Sequence, residues 1–376
     1  MIPFIDLKAQ RQKLGGGFDA AITRVIDHGK FILGPEVAAF ENELAAYCGV
    51  THCVSCGNGT DALVLALMAC DLGPDDVVIV PAMTFVASAE AVALVGATPF
   101  FCDVDADTFN VGPQELTEAI KAARKQGFNP TAAIIVDLFG LPAMTPELSR
   151  VAEEAGILII SDAAQSIGGR YDDLAVGSLS AVTATSFFPA KPLGCYGDGG
   201  AVFSHDENIA GKLRSLRVHG KGIDKYHAEK IGMNSRLDTM QAAILSEKLK
   251  IFPEEVEARQ IIAQRYIDGL GADFKTQMIP EKAKSAWAYF TIMAPDRQTL
   301  RDRLTAAGIP TQVYYPVPLH ELGPYRQFPR VSENLKNCNH LSQRSLSLPM
   351  HPYLSEALQS QIIEVVNGQR TVLDAQ

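Results

Sequence analysis

From about residue 50 to 205 the chain alternates short apolar runs with longer amphipathic stretches. The runs at 53–56, 77–80, 98–103, 132–137, 157–161, 184–187 and 201–204 read as strands, and the stretches at 60–70, 87–94, 113–125 and 146–155 carry helical spacing. Near-continuous Val and Ile runs mark strands covered on both faces, and helical spacers of this length mark crossovers between parallel strands. The pattern predicts an α/β domain on a largely parallel sheet.

Beyond this region the pattern changes. Residues 237–250 and 254–270 predict two long helices, the second entered through Pro253. From about 285 a strand (286–293), a helix (297–307) and a Pro- and Tyr-rich stretch (314–319) predict a smaller α+β unit. We place the boundary near residue 250, giving a large domain over 1–250 and a smaller C-terminal domain over 251–376. At the other end, each of Gly15, Gly16 and Gly17 costs a helix about 1 kcal/mol relative to Ala, so the first helix is expected to begin near Phe18.

Composition narrows the function classes. Hydrophobic residues at 47% and charged residues at 20% describe a globular chain, and a formal net charge of −10 argues against a general nucleic-acid binder. No apolar run reaches the roughly 18 residues of a membrane helix, and the N-terminus lacks the order of a signal peptide. A soluble cytoplasmic protein without a membrane partner is expected. Cys53 and Cys56 form a C-x-x-C among seven cysteines, but no second pair completes a metal site. Their place in a strand reads as packing, so no metal is expected.

Ligands of open α/β sheets bind at the carboxyl ends of strands, so the residues following each strand carry the candidate chemistry. After the first comes Cys56-Gly-Asn-Gly-Thr60-Asp61, opening a helix. Gly57 and Gly59 allow close backbone approach to an anion, and the helix start offers free N–H groups; an ordinary capped turn is the alternative. After the 157–161 run comes Asp162-Ala-Ala-Gln165, a strand-end carboxylate that either caps a helix or needs a cationic partner. Then Ser186 leads into Lys191, isolated among apolar, Gly and Pro residues up to Gly200. Desolvation would make its amine nucleophilic; a surface loop lysine is the alternative. Each motif is weak alone. A phosphate cradle, a strand-end Asp and an isolated Lys, in that order on one parallel sheet, are the parts of a pyridoxal phosphate site.

The chain also resembles the sugar aminotransferases of the DegT/DnrJ/EryC1/StrS family nearly end to end. The resemblance rests on Phe4-Ile-Asp-Leu-Lys-Ala-Gln10, Gly34-Pro-Glu36, Asn58-Gly-Thr-Asp-Ala-Leu63, Pro81-Ala-Met-Thr-Phe-Val86, Asp162-Ala-Ala-Gln165 and the stretch from Ser186 to Gly200. Asn234-Ser-Arg-Leu-Asp238, Tyr315-Pro-Val-Pro-Leu-His320 and Leu348-Pro-Met-His-Pro352 complete it. It implies the aspartate-aminotransferase-like fold type I: a large domain that binds pyridoxal 5'-phosphate and a smaller C-terminal α+β domain. It implies an internal aldimine on Lys191, a pyridoxamine phosphate intermediate, and Asp162 as partner of the ring nitrogen. By the same resemblance Gln165 lies beside the ring's 3-oxygen and Phe85 stacks on the ring. Gly59, Thr60 and Ser186 hold the phosphate, and Asn234 reaches it from the other subunit of a homodimer with shared sites.

One branch of the family carries histidine in place of the lysine and dehydrates its substrate; Lys191 implies transamination, with glutamate as amino donor. The motifs around Lys191, Arg236 and His351 are most similar to members acting on UDP-2-acetamido-2-deoxy-3-oxo-glucuronate for bacterial surface polysaccharide such as O-antigen. A dTDP- or GDP-linked 3- or 4-keto-6-deoxyhexose and a non-catalytic regulatory protein are the alternatives. Arg236 is then a candidate for the sugar carboxylate, with an ion pair to Asp238 as the other reading. His227, Tyr315, His320 and His351 lie in segments that form substrate surfaces in the family, and packing roles stay open for each.

Overall fold

A computed structural model describes residues 2–224 and 226–369. Seven strands form the central sheet: β1 (His52–Cys56), β2 (Val77–Pro81), β3 (Thr98–Cys102), β4 (Pro130–Val136), β5 (Leu158–Asp162), β6 (Val182–Ser186) and β7 (Gly200–Ser204). Their order across the sheet is β1-β7-β6-β5-β4-β2-β3, and only β7 runs against its neighbours. Most strand residues are buried, as the continuous apolar runs require.

The helices before and between the strands are α1 (Leu7–His28), α2 (Pro35–Cys48), α3 (Gly59–Ala69), α4 (Ala87–Leu94), α5 (Pro113–Lys125) and α6 (Pro146–Ala155). After β7 come α7 (Glu207–Leu216) and α8 (Thr239–Gly269). Four of these starts follow from local chemistry: Asp6, Asn58, Thr145 and Asp206 each accept a backbone N–H from the first turn of the helix they precede. The C-terminal part holds a three-stranded antiparallel sheet of β8 (Lys275–Thr276), β9 (Phe290–Met293) and β10 (Ser345–Leu348). Its core gathers Tyr266, Phe290, Leu304, Leu346 and Ile362, with Ile2 joining from the N-terminus.

Three expectations need correction. The first helix begins at Leu7, where Asp6 caps Ala9 N, and the glycine run breaks its path only at Gly15 (φ +58) instead of delaying its start. The two helices expected around Pro253 are one. The missing N–H of Pro253 removes a single hydrogen bond, while Phe252, Glu255 and Val256 are buried beside it and packing carries the helix through. The strand expected from 286 begins at Phe290. Trp287 adopts φ +48, and the N–H groups of Ala286 and Tyr289 bond to Gly140 and Phe139 instead of a strand partner.

The cysteines pack. All seven are free, and burial pushes the Cys56 thiol up to about 12 and that of Cys53 well above its ordinary value.

Candidate active site

Strand register brings the candidate motifs together. Cys56 at the end of β1 and Ser186 at the end of β6 both pair with Gly200, the first residue of β7 between them. Asp162, at the end of β5, pairs with Ala184 of β6. The three carboxyl-end segments therefore open on the same edge of the sheet.

At one end of this opening the backbone is drawn tight around the start of α3. Asn58 Oδ1 accepts from Asp61 N at 2.8 Å, which leaves the amides of Gly59 and Thr60 at the free end of the helix. A Cβ at Gly59 would stand 2.6 Å from Ser186 Cβ, and one at Gly200 would stand 2.4 Å from Asn58 O. Only glycine permits this approach, so the cradle is built into the chain. From the segment before α8, Ser235 Oγ accepts from Gly57 N at 2.9 Å and donates to Asp61 Oδ2 at 2.6 Å.

At the other end lies Asp162, buried, with Ser88 Oγ donating to Oδ2 at 2.8 Å and Ala164 N to Oδ1 at 3.2 Å. Burial raises its pKa against the lowering effect of these donors and of Lys191. Half-buried Lys191 sits on the loop between β6 and β7. Desolvation, partly opposed by Asp162, lowers its amine to about 8.

Gln165 spans the flank of the opening. Its Oε1 accepts from Phe139 N at 2.7 Å and its Nε2 donates to Tyr315 Oη at 3.2 Å. The Tyr315 ring lies 6.0 Å from that of Phe85, and Phe85 is 54% exposed. An aromatic of that size left open among buried neighbours presents a face for stacking.

Together these residues fit pyridoxal phosphate. Free amides and a hydroxyl at the glycine cradle suit a phosphate, and a buried carboxylate suits a protonated ring nitrogen. A lysine with a depressed pKa suits an aldehyde.

Of the other predicted residues, Asn234 and Arg236 flank Ser235 at the cradle, while His227, His320 and His351 make no hydrogen bond to this group. Asn234 is exposed and forms a backbone bridge with Val218. Arg236 is half-buried, and among the described residues it forms no ion pair, the one with Asp238 included. His227 is exposed and hydrogen-bonds Asp224 within its own hairpin. His320 is buried with Nδ1 unpartnered and Nε2 3.8 Å from Glu321. His351 is buried; burial and then Arg259 lower it to about 4, with Asp6 and the Pro3 backbone acting in the opposite direction. No hydrogen bond joins either buried histidine to Asp162, Lys191 or Gln165.

Sequence reasoning missed Ser88 and Ser235. Thr84, just before α4, brings its hydroxyl to 3.0 Å from that of Ser88, but nothing in the sequence places Ser88 at Asp162, 74 residues away. Nothing local marks Ser235, whose partners Gly57 and Asp61 are distant in the chain.

Residues 13–367 match the model of the DegT/DnrJ/EryC1/StrS aminotransferase family. The chain is similar to a UDP-2-acetamido-2-deoxy-3-oxo-D-glucuronate aminotransferase of Pseudomonas aeruginosa, with 44% identity over 95% of this chain and 97% of that one. Its fold matches the crystal structure of a DegT DnrJ EryC1 StrS aminotransferase from Brucella abortus, with a TM-score of 0.96, 50% identity and coverage of 98% and 99%. It also matches the pyridoxal phosphate form of a putative sugar aminotransferase from Streptococcus pneumoniae, with a TM-score of 0.86, 25% identity and coverage of 94% and 95%.

Proposed function

The chain belongs to the DegT/DnrJ/EryC1/StrS family of pyridoxal-phosphate-dependent aminotransferases, and from that premise we propose its substrates and the roles of its residues. The acceptor is UDP-2-acetamido-2-deoxy-3-oxo-glucuronate, the donor is glutamate, and the product is the 3-amino sugar. The observation that carries the acceptor is the 44% identity, nearly end to end, to the enzyme from Pseudomonas aeruginosa. Half-buried Arg236 supports a uronic acid in particular, because a guanidinium without an acidic partner among the described residues is suited to a carboxylate of the substrate.

When bound, the cofactor supplies an electron sink for the carbon that gains or loses the amino group. Lys191 holds the aldehyde end and, with its amine lowered to about 8, takes and returns a proton near neutral pH. Asp162 holds the proton of the ring nitrogen, and Ser88 fixes the carboxylate in place. Gly59, Thr60 and Ser186 receive the phosphate. Phe85 covers the ring, and Gln165 meets its oxygen-bearing edge while anchoring Tyr315.

The protein acts as a homodimer. The segment carrying Phe31, Ile32 and Leu33, which are 50%, 47% and 39% exposed, is tied by backbone bonds to Asp238 and Thr239. An apolar strip tied to the segment that carries exposed Asn234 supports a partner that covers the strip and receives Asn234 at its phosphate cradle. The test of this reading is a panel of UDP-, dTDP- and GDP-linked keto-sugars incubated with glutamate and followed by mass spectrometry. Preferred amination of the UDP-linked 3-oxo-glucuronate supports the acceptor; equal or better amination of a 6-deoxy sugar excludes it.

A further inference from the structure

The loop that carries Lys191 closes on itself. Phe187 N donates to Gly199 O at 2.7 Å, Cys195 N to Phe187 O at 2.8 Å, and Lys191 N to Phe188 O at 2.8 Å. The fold back at Gly194 is so tight that a Cβ there would lie 2.6 Å from both Phe188 O and Pro189 O. These bonds set the internal shape of the loop.

The loop's position is set by the burial of Phe187, Leu193 and Cys195 in the core and by polar contacts from one face of α8. Gln241 brackets the backbone of Tyr196, its Oε1 accepting from Tyr196 N at 2.9 Å and its Nε2 donating to Tyr196 O at 3.4 Å. Two turns along, Lys248 Nζ donates to Gly194 O at 2.6 Å and lies 4.0 Å from the centre of the Tyr196 ring. Residues seven apart share a helix face, so both side chains meet the same stretch of loop. Lys248 is 1% exposed and, among the described residues, has no carboxylate within ion-pair distance.

The charge of buried Glu255, seven residues along α8, offsets part of the cost of burying Lys248. Without a direct ion pair the burial stays costly, and a Met or Leu would fill the same space without that cost. What those residues lack is a donor for the Gly194 carbonyl. We propose that Lys248, with Gln241, is a positioning residue for the reaction: it locks the Gly194–Tyr196 turn to α8 and so sets where the Lys191 amine meets the cofactor. The proposal rests on the reading of Lys191 as the residue that holds the cofactor.

The experiment uses the full-length chain freed of cofactor and titrated with pyridoxal phosphate. It follows the rate and affinity of cofactor capture by visible absorbance, and borohydride reduction with peptide mass analysis locates the attachment. In the wild type the cofactor is fixed on Lys191. In Lys248→Met, affinity and capture rate fall about tenfold, and in Lys248→Arg, which keeps a donor, they stay within about threefold of wild type. Gln241→Leu shows a loss in the same direction and carries the test if Lys248→Met does not fold. Wild-type affinity and capture rate in Lys248→Met, whatever its thermal midpoint, overturn the proposal; so does wild-type behaviour of Gln241→Leu where that variant carries the test. A wild-type protein with no cofactor fixed on Lys191 overturns the reading of Lys191 and this proposal with it.

Discussion

Ser88 donates its hydroxyl to Asp162 Oδ2 at 2.8 Å, joining α4 to the end of β5 through a buried contact. Asp162 also receives Ala164 N, so Ser88 is one of two hydrogen-bond donors that offset the burial of its carboxylate. Ser88→Ala is expected to cost about 1–2 kcal/mol of stability and to weaken cofactor binding, because the carboxylate then ionises less readily. Urea unfolding and cofactor titration measure the two effects; a variant unchanged in both shows that the contact is idle.

Gly59 is set against Ser186. A methyl group there meets Ser186 Cβ at 2.6 Å, so Gly59→Ala must push α3 away from β6. The expected result is retained folding with a loss of about 1–3 kcal/mol in stability and release of the cofactor on dialysis, since the displaced amides no longer converge on a phosphate. Retention of cofactor at the wild-type level contradicts the cradle.

The amine of Lys191 is lowered to about 8 by desolvation, so its reactive neutral form appears on raising the pH through that value. Cofactor capture by the cofactor-free protein should rise with a midpoint near 8, where an exposed lysine would place it near 10.5. The stability sign follows. Between about 8 and 10.5 the unfolded chain holds the proton that the folded chain has lost, so Lys191 makes stability rise with pH across that window. Lys191→Met should remove this part of the rise in thermal unfolding scans, while Lys248, also lowered to about 8, retains its own share.

Arg236 separates substrates by charge. Arg236→Ala is expected to raise KM for the uronic acid about tenfold or more and to change KM little for the matching neutral sugar. Equal effects on both substrates remove Arg236 from carboxylate recognition.

The large sheet was legible because its strands are buried on both faces, and α4, α5 and α6 begin and end where the residue pattern places them. Local signals failed where tertiary packing outweighed them. Pro253 and Gly15 interrupt a helix in isolation, but in the folded chain buried neighbours carry α8 through, and α1 absorbs one non-helical residue. Asp162 and Lys191 were visible as motifs because each ends a strand or follows one. The support given by Ser88, Ser235 and Lys248 was not visible, since each acts on a segment about 50 or more residues away that only the fold brings near. Tyr315 was a candidate by resemblance, but its contact with Gln165, 150 residues away, was not legible.

The central claim is that this strand-end opening transfers an amino group through Lys191. Its most direct test supplies heavy-nitrogen glutamate and the UDP-linked 3-oxo-glucuronate to the wild type and to Lys191→Ala, and reads the sugar product by mass spectrometry. The account predicts heavy nitrogen in the amino sugar from the wild type and none above background from the variant. Heavy nitrogen arriving in the sugar at a comparable rate from Lys191→Ala would contradict it.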